Sequence, residues 1–375
     1  MTHRERIIAT LEGRPLDQLS WVPRLELWYN GRKRRGNLPE KYRDWPLRDI
    51  EKDLGLGTPA RGGRILSSRQ NNVETKSYRD GNDTVTEYIT PVGTVSTRHR
   101  GSEELNEVGI GGRMMEYMIK NIEDYAVVEY IVENTEVTPN YEVYLAYDKE
   151  IGDDGFPMTG LGDCPMGRIM REYIGYNNFF YELNDHTDQV EHLCEVLTEY
   201  DKQKVWPIVV KSPAKLILHG VHFDSQFTSP PLFRKYFTPY YKAFSRLLHE
   251  NGKYLACHAD ADTSLILNEI MDAGFDMAEC FVTYPMVPCT LEQAREAWGT
   301  DVVIWGGIPS AIVCEPITDE YFEEYMIDLF KTIAPGDAFI LGVADNVMPE
   351  AKIERIRRVT EMVEEYGYPI NVREE

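Results

Sequence analysis

What most constrains this chain is a rhythm that begins after Asp154. FPMTGLGD reads as a strand, and Pro165 to Asn177 and Thr187 to Val205 read as helices. KLILHGVHFDS is a strand, Ser229 to Asn251 a helix, YLACHAD a strand and Asp262 to Ala273 a helix. DMAECFV, DVVIWGG and AFILGVAD are further strands, separated or followed by helices at Thr290 to Trp298, Asp319 to Ile333 and Ala351 to Tyr366. Strands separated by helices of this length pair in parallel through right-handed crossovers. With WVPRLELWYN, residues 21 to 30, as a first strand after a helix at Thr2 to Leu11, the pattern predicts an α/β fold, a closed (β/α)8 TIM-type barrel.

The whole chain, 1–375, is expected to form one barrel domain. Residues 30–125 break the rhythm and read as an inserted, lid-like region. Within it, 82–100 alternates β-branched and polar residues around Pro-Val-Gly and predicts a β-hairpin. The basic run GRKRRGNLPEKYRDWP is either a solvated connector or an arm over a site.

Charge narrows the partners. Lys and Arg total 40 against 62 Asp and Glu, a formal net charge of -22, and a field of that sign repels phosphates. Nucleic acid and anionic membranes are therefore excluded as partners. The N-terminal stretch MTHRERIIATLEGR is charged where a signal peptide is apolar, and no run reaches the length of a membrane span. The six cysteines form no CxxC pair and read as reduced thiols, so a cytoplasmic location is expected.

In a barrel of this kind, chemistry gathers where strands end at their C-terminal side. The polar residues there are Asp163, His222 with Asp224, His258 with Asp260, Glu279, the Gly306-Gly307 pair and Asp345. Strand alternation puts His258 and Asp260 on one face and Cys257 on the other; by the same rule Cys280 lies opposite Glu279. His258, Asp260, Glu279 and Asp345 are thus candidate ligands for zinc or another divalent metal. A competing reading makes Asp260 and Asp262 helix caps and His258 a core histidine. His222 and Asp224 are candidate catalytic residues, as a proton-donor pair or as a structural hydrogen bond. Trp28, Tyr29 and Asn30 end the first strand as candidate substrate-binding residues, with barrel packing as the alternative for the two rings.

Several stretches in order carry a resemblance. FTSPPLFRKYFTPYYKAF, WGGIPS, FILGVADNVMPEAKIERI and the opening RERIIATLEGRPLDQLSWVPR resemble motifs of the uroporphyrinogen decarboxylase-like superfamily. That superfamily contains metal-free decarboxylases of a polycarboxylate and corrinoid-linked methyltransferases that bind zinc through a His-x-Cys pair and a later Cys. Those ligand positions fall here on His258, Asp260 and Asp345, so the sulfur ligands are replaced by carboxylates. Glu279 is similar in position to a zinc-ligand glutamate of distantly related methionine synthase barrels.

The resemblance implies zinc as cofactor, a corrinoid protein as partner and a small-molecule methyl donor; a homodimer is the oligomer to consider. Ligands poorer in sulfur leave a harder metal, suited to polarising an ether oxygen. The expected activity is that of the methyltransferase component of an O-demethylase acting on a methoxylated aromatic. A methyl-corrinoid:thiol methyltransferase, a decarboxylase and a non-catalytic binding protein are the alternatives.

Overall fold

The computed structural model describes residues 1–102, 106 and 111–372. By contact density the chain divides into two compact units, one of residues 1–63, 145–161 and 214–375, the other of residues 64–144 and 162–213.

The first unit holds the barrel sheet. Its strands are β1 (Ser20–Trp21), β8 (Met158–Gly160), β9 (Leu216–Val221), β10 (Tyr254–His258), β11 (Met277–Phe281), β12 (Val303–Pro309) and β13 (Phe339–Ala344). They are all parallel, in the order β1-β13-β12-β11-β10-β9-β8. Between the two end strands runs an irregular segment, residues 57–63. Gly57 N–H donates to Trp21 O (2.9 Å), Met158 N–H donates to Ala60 O (3.0 Å), and Gly63 bridges Thr159 in parallel. This segment fills the remaining place between β1 and β8, so the fold is the expected TIM-type barrel with one position occupied by non-strand chain.

The interior is apolar because the strands present period-two runs inward. Ile7, Val22, Met158, Leu216, Leu218, Ala256, Met277, Val303, Trp305 and Ile340 form one buried cluster. Outside it, Trp298 is buried, packs edge-on against Phe281 and donates its Nε1–H to Leu267 O (2.8 Å).

The second unit contains an antiparallel sheet of β3 (Glu74–Asp80), β4 (Asp83–Thr90), β5 (Gly93–Arg100) and β6 (Arg113–Glu116), and a β2 (Leu66–Gln70) to β7 (Thr135–Pro139) pair. The expected hairpin is the β4–β5 pair. Val95 packs there with Val127 and Ile131 of the helix Asp124–Glu133.

Three local expectations are corrected. Of WVPRLELWYN only Trp21 belongs to a strand (β1); from Glu26 on it enters a helix, Glu26–Arg34, whose basic last turn suits its negative end. Pro23 cannot donate to a ladder, and the apolar residues after it recur at helical spacing. Trp28 and Tyr29 are therefore buried on a helix. The Tyr29 hydroxyl lies 3.1 Å from Trp45 O and 2.9 Å from Lys33 Nζ, and Asn30 lies between buried positions rather than at a strand end. Arg32 and Arg35 of the basic run reach Pro349 O and the Glu350 carboxylate. The helix expected from Asp262 starts only at Leu267, because Asp262 caps a turn by accepting from Ser264 N–H and Ser264 Oγ–H.

Replacing Trp298 by Ala removes a filled volume and a satisfied donor together. Loss of about 3–5 kcal/mol is expected in urea unfolding of the barrel unit, with Glu324→Ala at an exposed position of the helix Asp319–Ile333 as the comparison.

Candidate active site

The strand ends bring His258, Asp260, Glu279 and Asp345 together, as the sequence suggests, and add three residues it did not indicate. His258 ends β10 and Glu279 sits beside it on β11, paired in register. The imidazole Nδ1 is 2.6 Å from Glu279 Oε2; its Nε2 is 3.4 Å from Asp260 Oδ2 and 3.7 Å from Asp345 Oδ1. His258 is 4% exposed and Glu279 1%.

Two arginines meet the deeper carboxylates. Arg61, from the irregular segment, places Nη1 3.1 Å from Glu279 Oε1; Arg24, just past β1, places Nη1 2.8 Å from Asp345 Oδ1. A first strand running to residue 30 hides Arg24 in its middle, whereas the strand that ends at Trp21 makes Arg24 a polar residue just past a strand end. Arg61 lies in PARGGR, which carries no strand pattern.

The third addition is Cys280, which was expected to face away from the mouth. The β11 ladder shifts register between Glu279 and Phe281, and Cys280 has φ +55°. A residue of left-handed conformation in a bulge breaks alternation, so neighbours project to the same side. Cys280 Sγ lies 3.1 Å from Glu279 Oε1 and 3.0 Å from Asp345 Oδ1. Cys257 keeps the regular geometry: it is fully buried with Sγ towards Met277 O, away from this cluster.

His222 follows β9 with φ +52°, which ends the alternation that would have aligned it with Asp224. Its Nδ1 lies 2.8 Å from both Asp260 oxygens, and its side chain is half exposed. Asp224 instead accepts from Gln226 N–H (2.8 Å) and closes its own loop. Asp260 is thus engaged by His222 and His258 and caps no helix, since the next helix begins beyond it.

Electrostatics follow from this geometry. Burial alone would lower the His258 pKa, but hydrogen bonds to Asp260 and Glu279 outweigh it and raise it to about 9. Burial would raise Glu279 and Asp260; contacts with His258, joined by Arg61 at Glu279 and by His222 at Asp260, instead hold both below the usual carboxylate range.

Sets of donor atoms within 4.8 Å of one another occur on both sides of His258: His222, His258 and Asp260 form one, and His258, Glu279 and Cys280 the other. The first set meets an arginine only through the shared His258, whose Nδ1 lies 3.5 Å from Arg61 Nη2, and it opens to solvent through His222, whose side chain is half exposed. It also has the arrangement by which protein carboxylates prepare metal-binding histidines: Glu279 accepts a hydrogen bond from Nδ1–H and leaves Nε2 as the ligand nitrogen. These residues fit a divalent metal of borderline hardness.

A TIM-type barrel with an imidazole–carboxylate cluster at its strand ends is the class these features define. The uroporphyrinogen decarboxylase (URO-D) family model matches residues 107–366, and the chain belongs to that family. Among solved structures, a methyltransferase from Methanosarcina mazei aligns with 98% of this chain and 99% of its own at 16% identity and a TM-score of 0.56, a likeness of fold. A ribulose-1,5-bisphosphate carboxylase/oxygenase from Pyrococcus horikoshii OT3 overlaps 63% of this chain and 48% of its own, at 9% identity and a TM-score of only 0.29. No curated protein matches the sequence. Among the described residues, no helix is long and apolar enough to cross a membrane.

A raised His258 pKa means the folded state binds the proton more tightly than the unfolded chain. In metal-free protein this contribution is fully present below about pH 6.5 and disappears as pH rises through about 9. Chemical denaturation should show stability falling across that window in the wild type and a flatter profile in His258→Gln. An imidazole resonance of His258 titrating near 6.5 would contradict this.

Proposed function

We propose that this protein is a zinc-dependent methyltransferase that takes a methyl group from a methyl ether, a methoxylated aromatic, and passes it to the Co(I) corrinoid of a partner protein. Family membership and the fold shared with a methyltransferase support a methyltransferase. The observation that carries the finer reading is His258 held between two carboxylates, with Nδ1 on Glu279 and Nε2 facing Asp260 beside His222.

In this reading His222, His258 and Asp260 hold the metal, and Glu279 orients His258. Bound there, zinc supplies a Lewis acid for the ether oxygen. The residues do the rest. Glu279 fixes the ring so that one nitrogen points at the open side, and Asp260 holds the two imidazoles together. Arg24 and Arg61 offset the charge of Asp345 and Glu279, so a developing phenolate is not set against bare carboxylates. With a partner protein's reduced corrinoid as acceptor, the methyl–oxygen bond would break as the methyl group is transferred, and the oxygen would leave with its bonding pair and take a proton from solvent on the His222 side. A substrate bearing many carboxylates is disfavoured, because both arginines are already engaged by protein carboxylates and the chain is strongly acidic.

The test combines metal and turnover. With a reduced corrinoid protein as acceptor, a methoxylated aromatic should yield the phenol and the methylated corrinoid. His258→Ala should lose stoichiometric zinc, Glu279→Gln should weaken zinc binding by about 10–100-fold, and Cys257→Ala should retain it. A wild-type protein that takes up no metal on titration sinks the site. Methylation of a free thiol with no activity on ethers would replace the reaction by the thiol-directed one.

A further inference from the structure

One imidazole presents two donor sets here, one on each edge, and a cation already sits on the second. The Arg61 guanidinium contacts every member of the His258–Glu279–Cys280 set: Nη1 is 3.1 Å from Glu279 Oε1 and 3.6 Å from Cys280 Sγ, and Nη2 is 3.5 Å from His258 Nδ1. A cavity of about 10 Å³ borders this set, lined among others by Arg24, Glu279, Cys280 and Asp345. That is about the space of one water molecule.

We propose that Arg61 occupies the cation position of a second, sulfur-containing metal subsite, His258–Glu279–Cys280, and so holds the metal of this protein on the nitrogen-and-oxygen edge of His258. The inference rests on the metal proposed above and deepens it, because it names what keeps that metal hard. The physical argument is exclusion. A guanidinium stays charged at all working pH, and a divalent ion placed among the same three donors would lie within a few ångströms of it. Remove the guanidinium and the buried Glu279 loses its arginine, while Cys280 and one edge of His258 are left facing each other across a space that a metal could fill. On binding there, the thiol would release its proton to solvent and bond through sulfur. Thiolate ligation gives a softer, less acidic metal, so the residue at position 61 sets the choice between ether-directed and thiol-directed chemistry.

Cobalt(II) reports this directly, because a sulfur ligand adds a near-ultraviolet charge-transfer band that nitrogen and oxygen ligands do not. Wild-type protein, Arg61→Gln, Arg61→Lys and the double variant Arg61→Gln/Cys280→Ser are titrated with Co(II). The wild type and Arg61→Lys should bind one equivalent without the band; Arg61→Gln should acquire it, and the double variant should lose it again. A band in the wild type, or none in Arg61→Gln with one equivalent bound, overturns the proposal. Should Arg61→Gln fail to fold, Cys280→Ser alone decides: it should bind Co(II) with wild-type affinity and spectrum, and a loss of binding would make Cys280 a ligand already and sink the idea. Failure of every form to bind cobalt removes both this inference and the metal itself. The predicted spectra without demethylation of any ether would leave Arg61 in its role and remove only the reaction.

Discussion

A carboxylate enclosed as completely as Glu279 must be matched within a hydrogen-bond length, and the arrangement of the whole cluster follows from that need. Its two oxygens are met by His258 and Arg61, from a neighbouring strand and from a segment without strand structure. Once His258 is drawn to Glu279 through Nδ1, its other nitrogen can only face Asp260 and the opening. An uncompensated buried charge would cost several kcal/mol, so the orientation of the histidine and the presence of the arginine are both enforced by stability before any question of catalysis arises.

Much of this was legible in the sequence. The strands from Leu216 to Ala344 fall where apolar runs end in turn residues, and the helix Asp319–Ile333 matches expectation to the residue, because its capping Thr318 and its helical spacing of buried positions are local signals. His258, Asp260, Glu279 and Asp345 were found by asking only which polar residues end strands. The failures have one kind of cause, a backbone departure with no side-chain signature. Cys280 and His222 adopt left-handed conformations where strand alternation assumes extended chain. Trp28 and Tyr29 look like strand aromatics until Pro23 is taken as the end of β1. Arg61 could not be found at all by periodicity, since it sits on chain that belongs to the barrel by position and to no element by pattern.

The bulge at Cys280 shows how a small irregularity changes the chemistry a strand can offer. A regular β11 would present a carboxylate and hide the thiol. The extra residue turns both to the same side, so the cluster contains a sulfur atom that the ligand positions read along the sequence lack. A family pattern read position by position records where residues stand along the chain, whereas donor sets are composed in space.

Residues 57–63 close the barrel through a few hydrogen bonds, against the long register that joins β12 to β13. A ring of equal strands has no preferred place to open, but a ring with one thin seam breathes there first. The seam also carries Arg61. The wall segment and the guanidinium that meets Glu279 are thus one piece of chain, so any opening of the wall at this place would loosen the arginine from the buried anion. Access to the deepest part of the cluster is in this way coupled to the weakest joint in its wall.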